Sequence, residues 1–243
     1  MRYTLEILAY NLESCTIAEK AGADRIELCD NPGQGGTTPS LGVIRTAIRD
    51  SRIPVFPMIR PRGGDFLYND AEFAAMQDDI RACKQLGAGG IVLGLLKADG
   101  IIDVERTARL VSIAYPMEVT FHRAFDHCAD PFTALEDIIN CGCNRILTSG
   151  QKPTAAEGIP LIRDLVEKAG ERITIMPGSG IRSSNLQEMA RRTGAQEFHS
   201  SAVIPQEGRM QFIRPEFARE NSYQWPDMQE VSAMRSILQN LSA

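Results

Sequence analysis

The stretch AGADRIEL at residues 21–28 decides the fold, because its glycine ends a helical segment and leads directly into a short apolar strand. The same order recurs in LGAGGIVL at 86–93, CGCNRILT at 141–148 and TGAQEFHS at 193–200. Glycine after a helical pattern marks the end of a helix, and short apolar runs are typical of buried parallel strands. The repeat therefore predicts successive strand–helix units with right-handed connections.

Eight strand candidates follow this pattern between residue 3 and about residue 200. They are Tyr3–Ala9, Asp24–Cys29, Pro54–Arg60, Gly90–Gly94, Met117–Arg123, Asn144–Ser149, Arg172–Pro177 and Ala195–Ser200. Between them lie helical segments near residues 11–22, 40–51, 70–87, 103–114, 131–141, 155–169 and 183–193. Such units can form an open doubly wound sheet or a closed barrel. Even spacing, and the lack of an early GxGxxG motif, favour an α/β fold with a single (β/α)8 TIM barrel over residues 1–202.

The remaining segment, residues 203–243, is predicted to be a C-terminal extension with a last helix near Asp227–Leu241. We expect this helical tail to pack on the barrel or on a partner subunit. The chain length of 243 residues supports one barrel, since this fold typically takes about 250 residues.

Charge and composition exclude several classes of function. The net charge is -5, from 26 basic and 31 acidic residues, and no basic stripe of the kind that binds nucleic acid is visible. The start, MRYTLEILAYNLESC, lacks the basic and apolar regions of a signal peptide, and no apolar run approaches the roughly 20 residues that span a bilayer. We therefore expect a cytoplasmic protein that binds neither nucleic acid nor membranes, with its six cysteines as thiols.

Alternation along the strands predicts which side chains face the barrel interior. Since the helix-facing positions must be apolar, the polar positions point inward: Glu6, Arg25, Glu27, Cys29, Arg60, Thr120, His122, Glu197 and His199. Buried charges are costly unless paired, so ion pairs are expected inside, and Glu6 and Arg25 can be read as purely structural. Glu27, Arg60, His122 and His199 lie nearest the carboxyl ends of the strands, where barrel enzymes place their chemistry.

The loops after the strands supply candidate anion-binding residues. In IRPRGGDF at 59–66, Arg60 and Arg62 flank a stiffening proline, which suits bidentate capture of carboxylate or phosphate. In MPGSGI at 176–181 a glycine-rich turn lies after the seventh strand, where phosphate sites recur in this fold. The predicted anion-binding set is Arg60, Arg62, Arg123, Ser149, Gly178, Ser179, Gly180 and Ser200.

Proton-handling residues are predicted at the same rim. The segment TFHRAFDHC at 120–128 brings His122 and Asp126 within one turn, and a histidine beside a carboxylate can serve as general acid or base near neutral pH. With Glu27 and His199 these two residues form the predicted catalytic set.

Two sets of metal ligands compete. His122, His199 and Glu27 would suit a borderline divalent ion, whereas Cys29 and Cys128 would suit a soft ion such as Cu(I). The pair Cys141-x-Cys143 lies in a helix-to-strand turn, predicted at the face opposite the rim, and is interpreted as two partly buried thiols.

Seven motifs in chain order together resemble the CutC family, described as copper homeostasis proteins. They are GADRIELC (22–29), GGTTPSLG (35–42), MIRPRGGDF (58–66), TFHRAFD (120–126), RILTSG (145–150), MPGSGI (176–181) and EFHSSA (197–202). The resemblance covers nearly the whole chain. It implies a cytoplasmic (β/α)8 barrel, often a homodimer, with copper binding proposed. On this resemblance Cys29, inside GADRIELC, is the most defensible soft ligand.

Two functions therefore stay open. The resemblance implies a copper-binding protein that buffers or delivers Cu(I). The alternative is an isomerase, lyase or aldolase-like enzyme that acts on a small anionic or phosphorylated metabolite at the rim. No lysine is predicted at a strand end, which argues against a lysine-dependent aldolase. The charged rim favours the enzyme, because a copper chaperone needs a few accessible thiols and no charged mouth.

Overall fold

A computed structural model describes residues 3–216 and 222–242. Eight short strands alternate with helices along the chain. The strands are β1 (Thr4–Ala9), β2 (Arg25–Leu28), β3 (Val55–Pro57), β4 (Gly90–Leu93), β5 (Glu118–Phe121), β6 (Arg145–Thr148), β7 (Thr174–Pro177) and β8 (Glu197–Ser200). The helices between them are α1 (Leu12–Lys20), α2 (Leu41–Asp50), α3 (Asp70–Leu86), α4 (Val104–Ala114), α5 (Pro131–Asn140), α6 (Ile159–Ala169) and α7 (Ser183–Thr193).

The eight strands close into a barrel. Hydrogen bonding orders them as β3-β2-β1-β8 and β4-β5-β6-β7, and the pairs within both groups are parallel. A parallel bridge between Met58 and Val92 joins β3 to β4, while β7 packs beside β8. The predicted (β/α)8 barrel is confirmed, and each observed strand lies within its predicted range.

The repeated glycines explain why the strand–helix units turn where they do. Gly22, Gly87, Gly142 and Gly194 have φ angles of 95°, 81°, 85° and 74°. A side chain strongly disfavours this left-handed conformation, so glycine is the residue that lets the chain leave a helix and enter the next strand here. At α3 the opposite end is equally defined, because Asn69 and Glu72 form a reciprocal capping box.

The C-terminal segment differs in part from its prediction. A last helix, α8 (Met228–Ser242), is present close to the predicted range, but an antiparallel hairpin of β9 (Val203–Glu207) and β10 (Ser222–Pro226) precedes it. The predicted last helix is therefore confirmed, and the hairpin before it was not predicted. Pro205 and Pro226 weaken the strand signal, and the strands pair across a long connection, so local pattern did not reveal them.

Helix α8 lies against the barrel through its apolar face. Val231, Met234 and Leu238 are buried, and the helix packs on α7 and α1. Arg235 Nη1 lies 2.7 Å from Asp24 Oδ2, immediately before β2. Across residues 3–216 and 222–242, no helix is both long and apolar enough to cross a membrane.

Candidate functional site

An ion-pair network fills the part of the barrel interior that lies below the carboxyl ends of the strands. Arg25 Nε lies 2.5 Å from Glu6 Oε2, and Arg25 Nη2 lies 2.7 Å from Glu197 Oε2. Arg145 Nε approaches the same Glu197 oxygen at 2.5 Å, while its Nη1 donates to Thr120 Oγ1 at 3.1 Å. The predicted interior ion pairs are thus present. Arg145 was missed, although the apolar neighbour Ile146 on β6 would have placed it inward by the same alternation.

Above this network a cavity of about 320 Å³ opens at the carboxyl ends of the strands. Seven predicted site residues line it: Glu27, Arg60, His122, Arg123, Ser179, Gly180 and His199. The prediction missed other wall residues, among them Tyr10, Phe66 and Gln224. Gln224 lies on the hairpin strand β10, which no local pattern assigned to the barrel mouth.

The imidazole of His199 lies between the carboxyl groups of Glu6 and Glu27. His199 Nδ1 lies 2.7 Å from Glu6 Oε1, and its Nε2 lies 3.8 Å from Glu27 Oε2. Burial, the largest effect, raises the pKa of Glu27 to about 7 against the opposing charge of His199. Burial works to lower the pKa of His199, but the charge of Glu27 and the bond to Glu6 outweigh it and raise that pKa. Each group shifts the pKa of the other, so the two titrate as a pair.

Glu6 itself stays ionised. Burial alone would raise the pKa of Glu6, but the charge of Arg25 and the hydrogen bond from His199 outweigh it and hold that pKa well below its usual range. A permanent carboxylate on Nδ1 fixes the imidazole orientation and leaves Nε2 of His199 as the reactive nitrogen.

His122 is a neutral hydrogen-bond donor. Its Nδ1 accepts the backbone N–H of Ala124 at 3.1 Å, so the neutral ring carries its proton on Nε2. Burial, reinforced by the charge of Arg60, lowers the pKa of His122 to about 3. The buried Nε2 has no partner among the described residues. Gly94 leaves room for the ring, since a Cβ there would lie 2.4 Å from His122 Nδ1.

Arg60 is a buried cation without a carboxylate partner among the described residues. Only 5% of the residue is exposed, and its guanidinium donates to the carbonyl oxygens of Gln34, Gly36 and Gly64, each at 2.7 Å. These carbonyls hold the group in place without neutralising its charge. Its Nε–H has no partner within the described chain. Such a site favours an anionic ligand, because an unpaired buried charge is costly.

Asp126 and Ser149 lie behind Arg123 rather than on the cavity wall. Arg123 Nε lies 2.8 Å from Asp126 Oδ2, and its Nη2 donates to Ser149 Oγ at 2.9 Å. Asp126 also accepts hydrogen bonds from Thr148 Oγ1 at 2.5 Å and from the backbone N–H groups of Ser149 and Gln151. These donors hold the carboxylate of Asp126 in one orientation, and the carboxylate in turn positions the arginine.

The loop after β7 lines the cavity with Ser179 and Gly180. Ser179 and Gly180 have left-handed φ angles of 77° and 76°, and Ser179 Oγ donates to Pro153 O at 2.8 Å. In the chain as described, the N–H of Gly180 has no hydrogen-bond partner. The N-terminus of α7, by contrast, is already occupied, since Ser183 N donates to Glu230 Oε1 at 2.7 Å.

Three residues predicted to bind an anion have other contacts. Gly178 lets the strand approach Leu147 and His199, since a Cβ there would lie 2.5 Å from Leu147 Cδ1. Ser200 Oγ is buried and donates to Ile181 O at 2.7 Å. Arg62 lies outside the cavity, where it pairs with Asp65 at 2.8 Å and Glu72 at 2.6 Å.

The two predicted copper ligands have separate surroundings. Cys29 Sγ lies 3.6 Å from Glu27 Oε2 and packs with Phe56, Met58 and Val92, whereas Cys128 accepts from Gln151 Nε2 at 3.4 Å. Burial raises the pKa of both thiols, that of Cys128 to about 12.

The ligand atoms that come together are those of Glu6, Glu27 and His199, which lie within 4.8 Å of one another. This buried group contains neither of the two cysteines nor His122. Its carboxylate and imidazole donors suit a borderline divalent ion better than Cu(I).

Fold and site together define a (β/α)8 barrel protein with a buried, charged cavity at the carboxyl ends of its strands. The chain belongs to the CutC family, whose sequence profile matches residues 3–204. A CutC family protein of Chromobacterium violaceum is 53% identical over 198 residues, covering 82% of this chain and 80% of that relative. The human "Copper homeostasis protein cutC homolog" is 45% identical over 246 residues, covering 98% of this chain and 90% of the relative.

Solved structures agree with this assignment. A CutC protein of Streptococcus agalactiae superposes with a TM-score of 0.78 at 38% identity, covering 82% of this chain and 98% of that chain. N-(5'-phosphoribosyl)anthranilate isomerase of Pyrococcus furiosus matches with a TM-score of 0.61 at 16% identity, covering 98% of this chain and 100% of that chain. The second likeness concerns the barrel fold alone.

Proposed function

We propose that this chain is an enzyme that binds a small anionic metabolite at the barrel mouth and moves a proton on it. One observation carries the proposal. Glu27 Oε1, Arg60 Nε and His122 Nε2 are buried without a partner among the described residues, and all three residues line one cavity. Buried polar atoms are nearly always paired, so three unpaired ones at one cavity indicate a ligand that pairs with them.

The roles follow from the chemistry of each group. Arg60 and the free N–H of Gly180 bind the anionic group of the substrate. Neutral His122 donates Nε2–H to a carbonyl oxygen and stabilises the negative charge that develops there.

The pair of Glu27 and His199 removes and returns a proton, since the pKa of Glu27 lies near 7. Abstraction of a proton beside a carbonyl is a step that many isomerases and lyases have in common. No lysine lines the cavity within the described chain, so a Schiff-base aldolase is not part of the proposal.

Solvent-exchange measurements test this proposal directly. Sugar phosphates and hydroxy or keto acids are first screened by thermal shift, and those that bind are followed in D2O by proton NMR. We expect deuterium to enter the carbon beside the carbonyl. Glu27→Gln should retain binding and slow exchange by at least about 100-fold. Glu188→Gln, on the surface of α7 beside Arg192, is the matched control. Binding by none of these anions, or exchange at an unchanged rate in Glu27→Gln, would overturn the proposal.

A second candidate, Cu(I) binding, rests on a pair of soft donors. A Cβ placed on Gly36 would lie 3.0 Å from Cys29 Sγ and 3.8 Å from Met58 Cε, so the thiol and the thioether side chain meet at one spot. Thiolate and thioether sulfurs select Cu(I), and the human relative is named for copper homeostasis. In this proposal copper is cargo that Cys29 and Met58 hold beside the cavity.

Competition with a Cu(I) chelator tests the copper proposal variant by variant. We expect Cys29→Ser and Met58→Leu each to weaken Cu(I) binding, and Cys128→Ser to leave it unchanged. Equal affinity in wild type and Cys29→Ser would contradict the assignment. Loss of affinity in Cys128→Ser would instead support the thiol pair of Cys29 and Cys128.

We also propose that the protein works in the cytoplasm as a homodimer. The exposed side chains of Met210 and Phe212, 64% and 69% accessible, supply apolar surface beyond β9 that a second copy would cover. Sedimentation at micromolar concentration checks this, and Phe212→Ser should shift the protein toward the monomer. A monomer at every concentration would overturn it.

A further inference from the structure

A second chamber adjoins the cavity at the barrel mouth. Its volume is about 690 Å³, and it shares Gly35, Arg60, Phe66 and Arg123 with the first cavity. We call the first the inner chamber and the second the outer chamber. Lys97, from the loop after β4, and His127, after β5, line only the outer one. The proposed reaction uses neither residue.

The outer chamber carries excess positive charge. Within the described chain Lys97 forms no ion pair and Arg60 has no carboxylate partner. The acidic wall residue, Asp65, is bound to Arg62 at 2.8 Å and contributes little free negative charge. Unpaired cations around one depression concentrate anions there.

Phe66 stands between the two chambers. Its ring centroid lies 5.0 Å from that of His122 in the inner chamber and 5.4 Å from that of His127 in the outer chamber. The guanidinium of Arg60 lies 5.0 Å from the same ring. A ligand that occupies both chambers therefore passes Phe66 with Arg60 and Arg123 beside it.

We infer that the substrate of this site carries two anionic groups, phosphate or carboxylate, one in each chamber. The inference rests on the proposed function and narrows its substrate class. The inner group binds at Arg60 and the Gly180 N–H, and the outer group binds at Lys97 and His127. Arg60 is buried and lines both chambers. The part of the ligand that connects its two anionic groups therefore passes beside Arg60.

Sulfate, which does not titrate near neutral pH, is the first probe. Backbone amide signals of Gly180 report on the inner chamber and those of Ala98 and Gly100 on the outer one. We expect two separate saturation curves in an NMR titration of the full chain. Lys97→Ala should weaken the outer event at least about tenfold and leave the inner one unchanged. Lys20→Ala, an exposed lysine in the last turn of α1, is the control.

Linear dicarboxylates of four to eight carbons, compared with monocarboxylates of equal length, test whether one molecule bridges the chambers. At least one dicarboxylate should bind about tenfold tighter than its monocarboxylate, and Lys97→Ala should abolish that difference.

The outcomes separate the two proposals. Sulfate that shifts only the inner amides, or dicarboxylates that bind no tighter, would overturn the two-anion inference and leave the proposed function standing. Sulfate that shifts neither set would overturn both.

Discussion

The Nδ1 atom of His199 lies 2.7 Å from the Oε1 atom of Glu6, and this contact joins the last strand of the barrel to the first. In the strand register Glu6 is the partner of His199 on β8 and of Arg25 on β2. One buried carboxylate therefore neutralises a guanidinium and orients an imidazole. Through it the interior ion-pair network supports the reactive face of His199, which lies toward Glu27.

We predict that Glu6→Gln destabilises the protein by about 3 kcal/mol, because it leaves Arg25 and His199 buried without their full counter-charge. Urea unfolding measures the change. Asp164→Asn removes an exposed ion pair with Arg163 and should cost less than about 0.5 kcal/mol. Similar losses in the two variants would show that Glu6 carries no special structural role.

Stability should fall in acid because of His122. The pKa of this residue is about 3 in the folded protein and about 6.5 in the unfolded chain, so the unfolded chain takes up a proton first as pH falls. This group contributes stability above pH 6.5 that is lost toward pH 3. Between pH 7 and pH 5 wild type should lose about 2 kcal/mol more than His122→Asn. Parallel pH profiles of the two proteins would contradict the burial of a neutral imidazole.

Anion binding should weaken as pH rises through about 7. Glu27 gains its negative charge in that range, and His199, whose pKa is raised by Glu27 and Glu6, loses its positive charge as pH rises further. Sulfate affinity measured by calorimetry should fall roughly five- to tenfold from pH 6 to pH 8. Glu27→Gln should flatten the profile. An equally steep profile in that variant would assign the effect to another group.

Asp126 should act on binding through Arg123. Asp126→Asn replaces an acceptor that receives Arg123 Nε and several N–H and O–H donors, so we expect a loss of about 1–3 kcal/mol in stability and weaker sulfate binding. The double variant with Arg123→Ala should bind sulfate no worse than Arg123→Ala alone. Additive losses in binding would mean that Asp126 contributes without Arg123. Asparagine keeps the shape of aspartate without its negative charge, so Asp126→Asn measures how much Arg123 depends on that charge.

The barrel could be predicted because its signals are local. Gly22, Gly87, Gly142 and Gly194 all stand where the chain needs a left-handed turn between helix and strand. Alternation along each strand likewise predicted the inward positions of Glu6 and Arg25. The hairpin of β9 and β10 could not be predicted this way, since its pairing joins Val203 to Pro226, which lie far apart in the sequence.

The sequence predicted which residues gather at the site but not the contacts that each of them makes. Glu27, His122 and His199 do share one cavity, as strand-end positions in a barrel should. Arg62 has the same chemistry and nearly the same position as Arg60, yet it lies outside, paired with Asp65 and Glu72. Two positions along one turn decide which guanidinium is buried, and the sequence pattern does not resolve that.

The amino-acid sequence by itself determined the barrel, the inward polar positions and the gathering of charged groups at one rim, because glycine conformation and strand alternation depend on near neighbours. Only the tertiary structure decided which buried carboxyl group is ionised and which one holds a proton near neutral pH. Glu6 contacts His199 across 193 positions and stays ionised, while Glu27 lacks a strong cation partner and holds its proton to about pH 7. A side chain takes its charge from burial and from contacts that the closed barrel alone creates.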